Sequence, residues 1–199
     1  MARSPLRAGS REASYPSIRV LFAGYSEPGV AGTVALICDG SRRIIIDPGM
    51  VPRRSKILGP LVRAGVRPEQ VTDVIFSHHH PDHTLNAALF PRARFHDYWA
   101  IYRNDLWESR PAEGFHVSPR VQLIETPGHT PQDITTLVES PQGTHAFTHL
   151  WWDRSGPAED PLADNAALLH TNRARVARLA QWIVPGHGAP FKLEPTTPL

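Results

Sequence analysis

The chain has 199 residues, 41% of them hydrophobic, which suits one globular domain with a sizeable core and leaves little room for two. Residues 1–15 hold three arginines and one glutamate, so the remaining body is neutral at 18 basic against 18 acidic side chains, which argues against a nucleic-acid partner. A single cysteine, Cys38, excludes an intrachain disulfide and a thiolate metal site, and no apolar run reaches the length of a membrane span or signal sequence, so a cytoplasmic protein without membrane contact is expected.

Residues 1–15, "MARSPLRAGSREASY", lack hydrophobic periodicity and read as a disordered basic tail ahead of a single domain over 16–199. Strands are predicted near 18–22, 33–38 and 43–46, then a helix near 53–64 that carries Ile57, Leu58, Leu61 and Val62 on one face. A strand at 72–76 leads into a histidine-rich turn, a short helix near 84–89 that Thr84 can cap, and a strand near 93–96. The aromatic-rich stretch from Asp97 to Val117 reads as irregular, in the manner of a lid. Strands follow near 121–125, 134–139 and 144–149, then a polar loop at 153–161, a helix near 162–180 with "RARVAR" on its solvated face, and a strand at 182–184. This order predicts an α/β fold with two mixed β-sheets flanked by helices.

Three strands end in the same way. "IIIDPG", "IETPGH" and "WIVPGHG" each run an apolar strand into a Pro-Gly turn, where proline fixes φ and glycine accepts a positive one. Such turns aim the residues at strand ends into one cleft.

The densest signal is "SHHHPDHT". Its spacing, His78-x-His80-x-Asp82-His83, offers three imidazoles and a carboxylate in six positions, so that residues two apart can face one ion while the acid and the next histidine turn toward a second. His79, between them, is expected to point elsewhere. A donor set rich in histidine and free of thiolate suits zinc, iron or manganese.

This motif, with "RRIIIDPG", "TPGHT" and "VPGHGAPF", resembles the metallo-β-lactamase-fold metallohydrolases over about 19–191. The resemblance implies an αββα sandwich holding one or two metal ions, with His78, His80 and His129 on one and Asp82, His83 and His187 on the other. Asp47 would orient ligands from behind. The chain departs from that pattern at "AFTHLWW", where His149 stands in place of a bridging aspartate. An imidazole removes one negative charge, and Asp153 is the next carboxylate able to restore it.

The function implied is hydrolysis of an ester, lactone, thioester, amide or phosphodiester in a small-molecule substrate by a metal-activated water. Asp82 would orient that water, and His149 would ligate a metal or stabilise developing charge. Tyr25, Trp151 and Trp152 are the candidate substrate-binding residues. The alternatives are a mononuclear iron oxidoreductase of the same fold, a nuclease, and a metal-binding protein without catalysis.

Overall fold

The computed structural model describes residues 14–199, so the expectation of a disordered basic tail falls almost wholly outside the described residues. Two sheets face each other. The first runs in the order β1 (Ser17–Phe22), β2 (Val34–Asp39), β3 (Arg42–Ile46), β4 (Asp73–Ile75), β5 (Arg94–His96), β6 (Ala100–Arg103), β7 (Leu106–Ser109). The second runs β13 (Phe191–Lys192), β12 (Trp182–Pro185), β11 (Gly143–Thr148), β10 (Ile134–Ser140), β9 (Val121–Glu125), β8 (His116–Ser118). Both sheets are mixed: β3–β4, β4–β5 and β11–β12 pair in parallel, and the other pairs are antiparallel.

Strand alternation explains the layering. Ile44 and Ile46 of β3 turn inward to meet Leu123, Ile134, Val138 and Phe147 of the second sheet, whereas Ile45 turns outward onto Ile57 and Leu61 of α1 (Ser55–Arg63). The inner part of β3 is buried on both faces and has no polar position to spare, which is why its last three residues are all isoleucine. On the far side, Ala146 and Ile183 pack under Leu169 and Val176 of α3 (Ala166–Leu179). The result is helix, sheet, sheet, helix, as the sequence predicted.

Three expectations need correction. The helix near 84–89 is instead a four-residue α2 (Pro81–Thr84) and a separate 3-10 turn at Ala87–Leu89. Between them Asn86 donates its amide to the Gly49 carbonyl and accepts from Arg54, which breaks the helical path, and the Thr84 hydroxyl bonds back to the His80 carbonyl rather than capping anything onward. The stretch expected to be an irregular lid contains the β6–β7 hairpin, turned at Asn104 with φ of 55°. The arginines of α3 are not all solvated: Arg173 is fully buried.

The chain leaves β3, β4, β9, β11 and β12 at one end of the sandwich, where the strands of the three parallel pairs, and β9 with them, point their carboxyl ends. Every residue of the histidine motif lies there. No helix among the described residues is long and apolar enough to cross a membrane.

Candidate metal centre

Asp47 anchors the centre from the end of β3. It sits in the left-handed region at φ 49°, a conformation that costs a non-glycine residue on the order of 1 kcal/mol. That conformation turns its carboxylate onto the β4 exit: Oδ1 accepts from the Ser77 amide and Oδ2 from the Ser77 hydroxyl, each at 2.7 Å, and Oδ2 also meets His83 Nδ1 at 3.1 Å. The next turn is held as closely. Gly49 lies so near the Asp82 carbonyl that any Cβ there would collide with it, while that carbonyl accepts from the amides of Gly32 and Met50 at 3.1 Å.

The hydrogen bonds decide which nitrogen of each ring carries a proton. Carboxylates and carbonyls only accept, so His83 Nδ1 facing Asp47, His129 Nδ1 facing Asp160 Oδ2 at 2.9 Å, and His187 Nδ1 facing the Ala31 carbonyl at 3.1 Å are all donors. The Ser77 hydroxyl spends its proton on Asp47, so His78 Nδ1, 3.0 Å away, donates to it. Each of these four rings therefore turns its Nε2 into the cleft, where the neutral ring presents a lone pair.

Two sets of donors converge there. His78 Nε2 and His129 Nε2 lie 3.1 and 3.2 Å from His80 Nδ1, and two nitrogens on a tetrahedral zinc with bonds of about 2.0–2.1 Å stand about 3.3 Å apart. Nearby, Asp82 Oδ2 is 3.2 Å from His83 Nε2 and 3.6 Å from His187 Nε2. His83 Nε2 is buried with no hydrogen-bond partner. Lone pairs and a carboxylate facing one another repel unless a cation lies between them, so both donor sets fit a divalent metal.

Electrostatics agree. Burial, and then the surrounding rings, push His78 and His149 well below the usual imidazole range, leaving both neutral as ligands must be. Burial pulls His83 down too, but Asp47 and Asp82 outweigh it and raise the ring to about 9. Burial alone would raise Asp82, and its bond and charge partner His83 brings it to about 2. In the metal-free protein a proton on His83 thus stands where a cation would compensate the two acids.

His78, His80, Asp82, His83, His129, His149 and His187 are brought together, with Asp47 behind them. His79 turns away, pairing with Asp97 at 3.2 Å and stacking on Trp99. The two tryptophans divide. Trp151 is a correction: it is fully buried under α3 and its indole donates to the Pro198 carbonyl, so it cannot wall the cleft. Trp152 stands beside the cluster, 6.1 Å from His187 and 6.5 Å from His149 between ring centres. Tyr25 packs edge-on against Phe22, while its backbone pairs with Ala31, the residue whose carbonyl holds His187. Asp153 does not restore the lost carboxylate: it joins none of the convergent donor groups among the described residues, and its Oδ1 accepts from the Ser155 amide and hydroxyl.

Two supporting residues escaped the sequence. Ser77 relays Asp47 to His78, and Asp160 accepts from both His129 and Trp152. Asp160 lies in the polar loop, 31 positions from His129, where no spacing distinguishes it from Glu159 or Asp164.

Residues 28–150 match the Metallo-beta-lactamase superfamily. Metallo-beta-lactamase domain-containing protein 1 of Xenopus laevis is 30% identical over 96% of this chain and 87% of its own length. Among solved structures, a Thermotoga maritima protein described as a metallo-beta-lactamase superposes with a TM-score of 0.71 at 20% identity, covering 90% of this chain and 100% of that one. The dizinc quorum-quenching lactonase AidC gives 0.61 at 15% identity, covering 83% and 77%.

Proposed function

The chain belongs to the metallo-β-lactamase superfamily, and from that premise we propose that it is a metal-dependent hydrolase acting on an ester or lactone bond of a small molecule. The observation that carries this reading is the set of four rings whose outer nitrogens are fixed to acceptors, leaving their lone pairs convergent beside Asp82. An ion held by His78, His80 and His129 would supply a water of lowered pKa and a Lewis acid for the substrate carbonyl. The chain's own residues do the rest. Asp82, ionised far below neutral pH, accepts a hydrogen bond from the attacking water and so orients it. His80 is exposed while His78 and His129 are buried, so substrate approaches on the His80 side. Trp152, held by its bond to Asp160, offers a flat apolar wall beside His149 and His187.

Ester and lactone are preferred to phosphodiester because the body of the chain is neutral and offers no basic track for a polyanion. The fold is also that of solved lactonases, which supports a carbonyl substrate. Zinc suits the nitrogen-rich donor sets, and iron and manganese are the alternatives for a metal assay to decide. The test is a panel of an aryl ester, an acyl homoserine lactone, a thioester and an aryl phosphodiester, offered to metal-free and zinc-loaded protein. Zinc-dependent turnover of the ester or lactone, reduced more than about 100-fold in His80→Ala and His129→Ala, is expected. Metal binding without turnover of any carbonyl substrate would overturn the proposal.

A further inference from the structure

His149 follows the last residue of β11 and lies at the centre of the cluster, its ring 4.1 Å from His129, 4.5 Å from His78, 4.9 Å from His83 and 5.0 Å from His187. The ring is buried, and Gly186 makes room for it: a Cβ there would stand 2.5 Å from His149 Cδ2. Its Nε2 is 3.0 Å from His187 Nε2, and its Nδ1 is buried without a partner. The proton of His187 is already placed on Nδ1 by the Ala31 carbonyl, so the nitrogen that His149 faces is a lone pair pointing at the second cation position.

We infer that His149 is a terminal ligand of that second position, so that Asp82, His83, His149 and His187 form a closed four-ligand site and the three-histidine position alone keeps a place for water. The inference rests on the metal-hydrolase reading for the presence of cations and goes beyond it in making the two positions unequal. Three contacts support the polyhedron: His149 to His187 at 3.0 Å, Asp82 to His83 at 3.2 Å, and Asp82 to His187 at 3.6 Å, around the edge of about 3.3 Å for a tetrahedral zinc. His149 falls within donor range of His83 together with His78, and of His129, so its assignment to the second position rests on the 3.0 Å approach of its Nε2 to His187 Nε2.

The chemistry of the ring explains why it closes one site rather than joining two. A carboxylate can give an oxygen to each of two ions, whereas a neutral imidazole has one lone pair. Once Nε2 is committed to the second position, Nδ1 carries the proton and has nothing to offer the first. Four protein ligands make a structural site and three make one open to substrate. The second position is thus read as a nitrogen-rich clamp for zinc or cobalt(II), tying the β11 and β12 ends to α2, and the reaction is left to the first.

Cobalt(II) titration of the metal-free protein tests this, because visible absorption separates four-coordinate cobalt from five- and six-coordinate. In His80→Ala, which disables the first position, one equivalent of cobalt with an intense four-coordinate band is expected. Adding His149→Ala should weaken that equivalent at least about tenfold and collapse the band, and free imidazole should restore it. His149→Gln, which fills the space without an imidazole nitrogen, should behave as the unrescued variant and guards against a fold defect in the alanine variant. An unchanged band and affinity in both His149 variants would overturn the inference while leaving the hydrolase reading intact. Failure of both positions of the wild type to bind cobalt would instead remove the reading on which it rests.

Discussion

Asp160 shows how much one distant carboxylate can decide. Its Oδ2 receives His129 Nδ1 at 2.9 Å and Trp152 Nε1 at 3.1 Å, so it sets both a ligand's tautomer and the position of the cleft's aromatic wall. Asp160→Ala is expected to lower affinity for the metal at the three-histidine position about 10- to 100-fold, as read by competition with a chromogenic chelator. Asp73 plays a comparable part away from the metal: Arg94 reaches it at 2.6 and 3.0 Å, His96 at 2.9 Å, Thr72 at 2.7 Å and Arg42 at 3.3 Å. Burial would raise its pKa, but His96, Thr72 and Arg94 lower it to about 2. A depressed carboxylate stabilises the fold above its unfolded pKa of about 3.9, and that contribution, about 2 kcal/mol, is lost as pH falls through about 2. Asp73→Asn should therefore cost about 3 kcal/mol or more in urea unfolding at neutral pH, with the difference from wild type narrowing between about pH 4 and 2. The four ligands of the local motif, His78, His80, Asp82 and His83, were legible in the sequence because spacing alone brings them together. Ser77 and Asp160 were not, since their roles depend on where Asp47 and His129 arrive in space.

Among the elements, α3 does more than cover the second sheet. Arg173 donates Nε to the Leu150 carbonyl, Nη1 to that of Ala158 and Nη2 to that of Pro157, at 2.7 to 2.8 Å, with its guanidinium 5.6 Å from the Trp151 ring. It thereby binds the loop that carries Trp152 to the helix. Arg173→Met is expected to cost about 3 kcal/mol and to raise amide exchange across residues 150–158, because the buried Leu150 carbonyl and the part-buried carbonyls of Pro157 and Ala158 lose their donor. Sequence reasoning took this arginine for a solvated one because a buried arginine satisfied by loop carbonyls leaves no periodic trace. The β6–β7 hairpin was hidden for another reason. Its strands are four residues each, β7 is exposed on both faces, and without alternation the only cue is the Asn-Asp turn. The "IIIDPG" strand, in contrast, was legible because burial on both faces leaves nothing but apolar residues to write it with.

For the whole molecule the site lies on the seam. His78, His80, Asp82 and His83 follow strands of the first sheet, while His129, His149 and His187 follow strands of the second, and each convergent donor set draws on both. Metal binding is therefore folding energy: zinc at 100 times its dissociation constant adds about 2.7 kcal/mol, which for a chain of this size raises the melting temperature by about 5–10 °C. Calorimetry of zinc-loaded and chelator-treated protein should show that difference.

The apolar filling between the sheets then acquires a second role. Ile44 and Val138 carry no polar atom, yet their bulk sets the gap across which the imidazoles must meet. That interior works as a spacer that calibrates a coordination cage, much as a shim sets the jaws of a clamp. Ile44→Val should cost only about 1 kcal/mol in stability, but chelator competition should register it as weaker metal retention at temperatures where the chain is still fully folded.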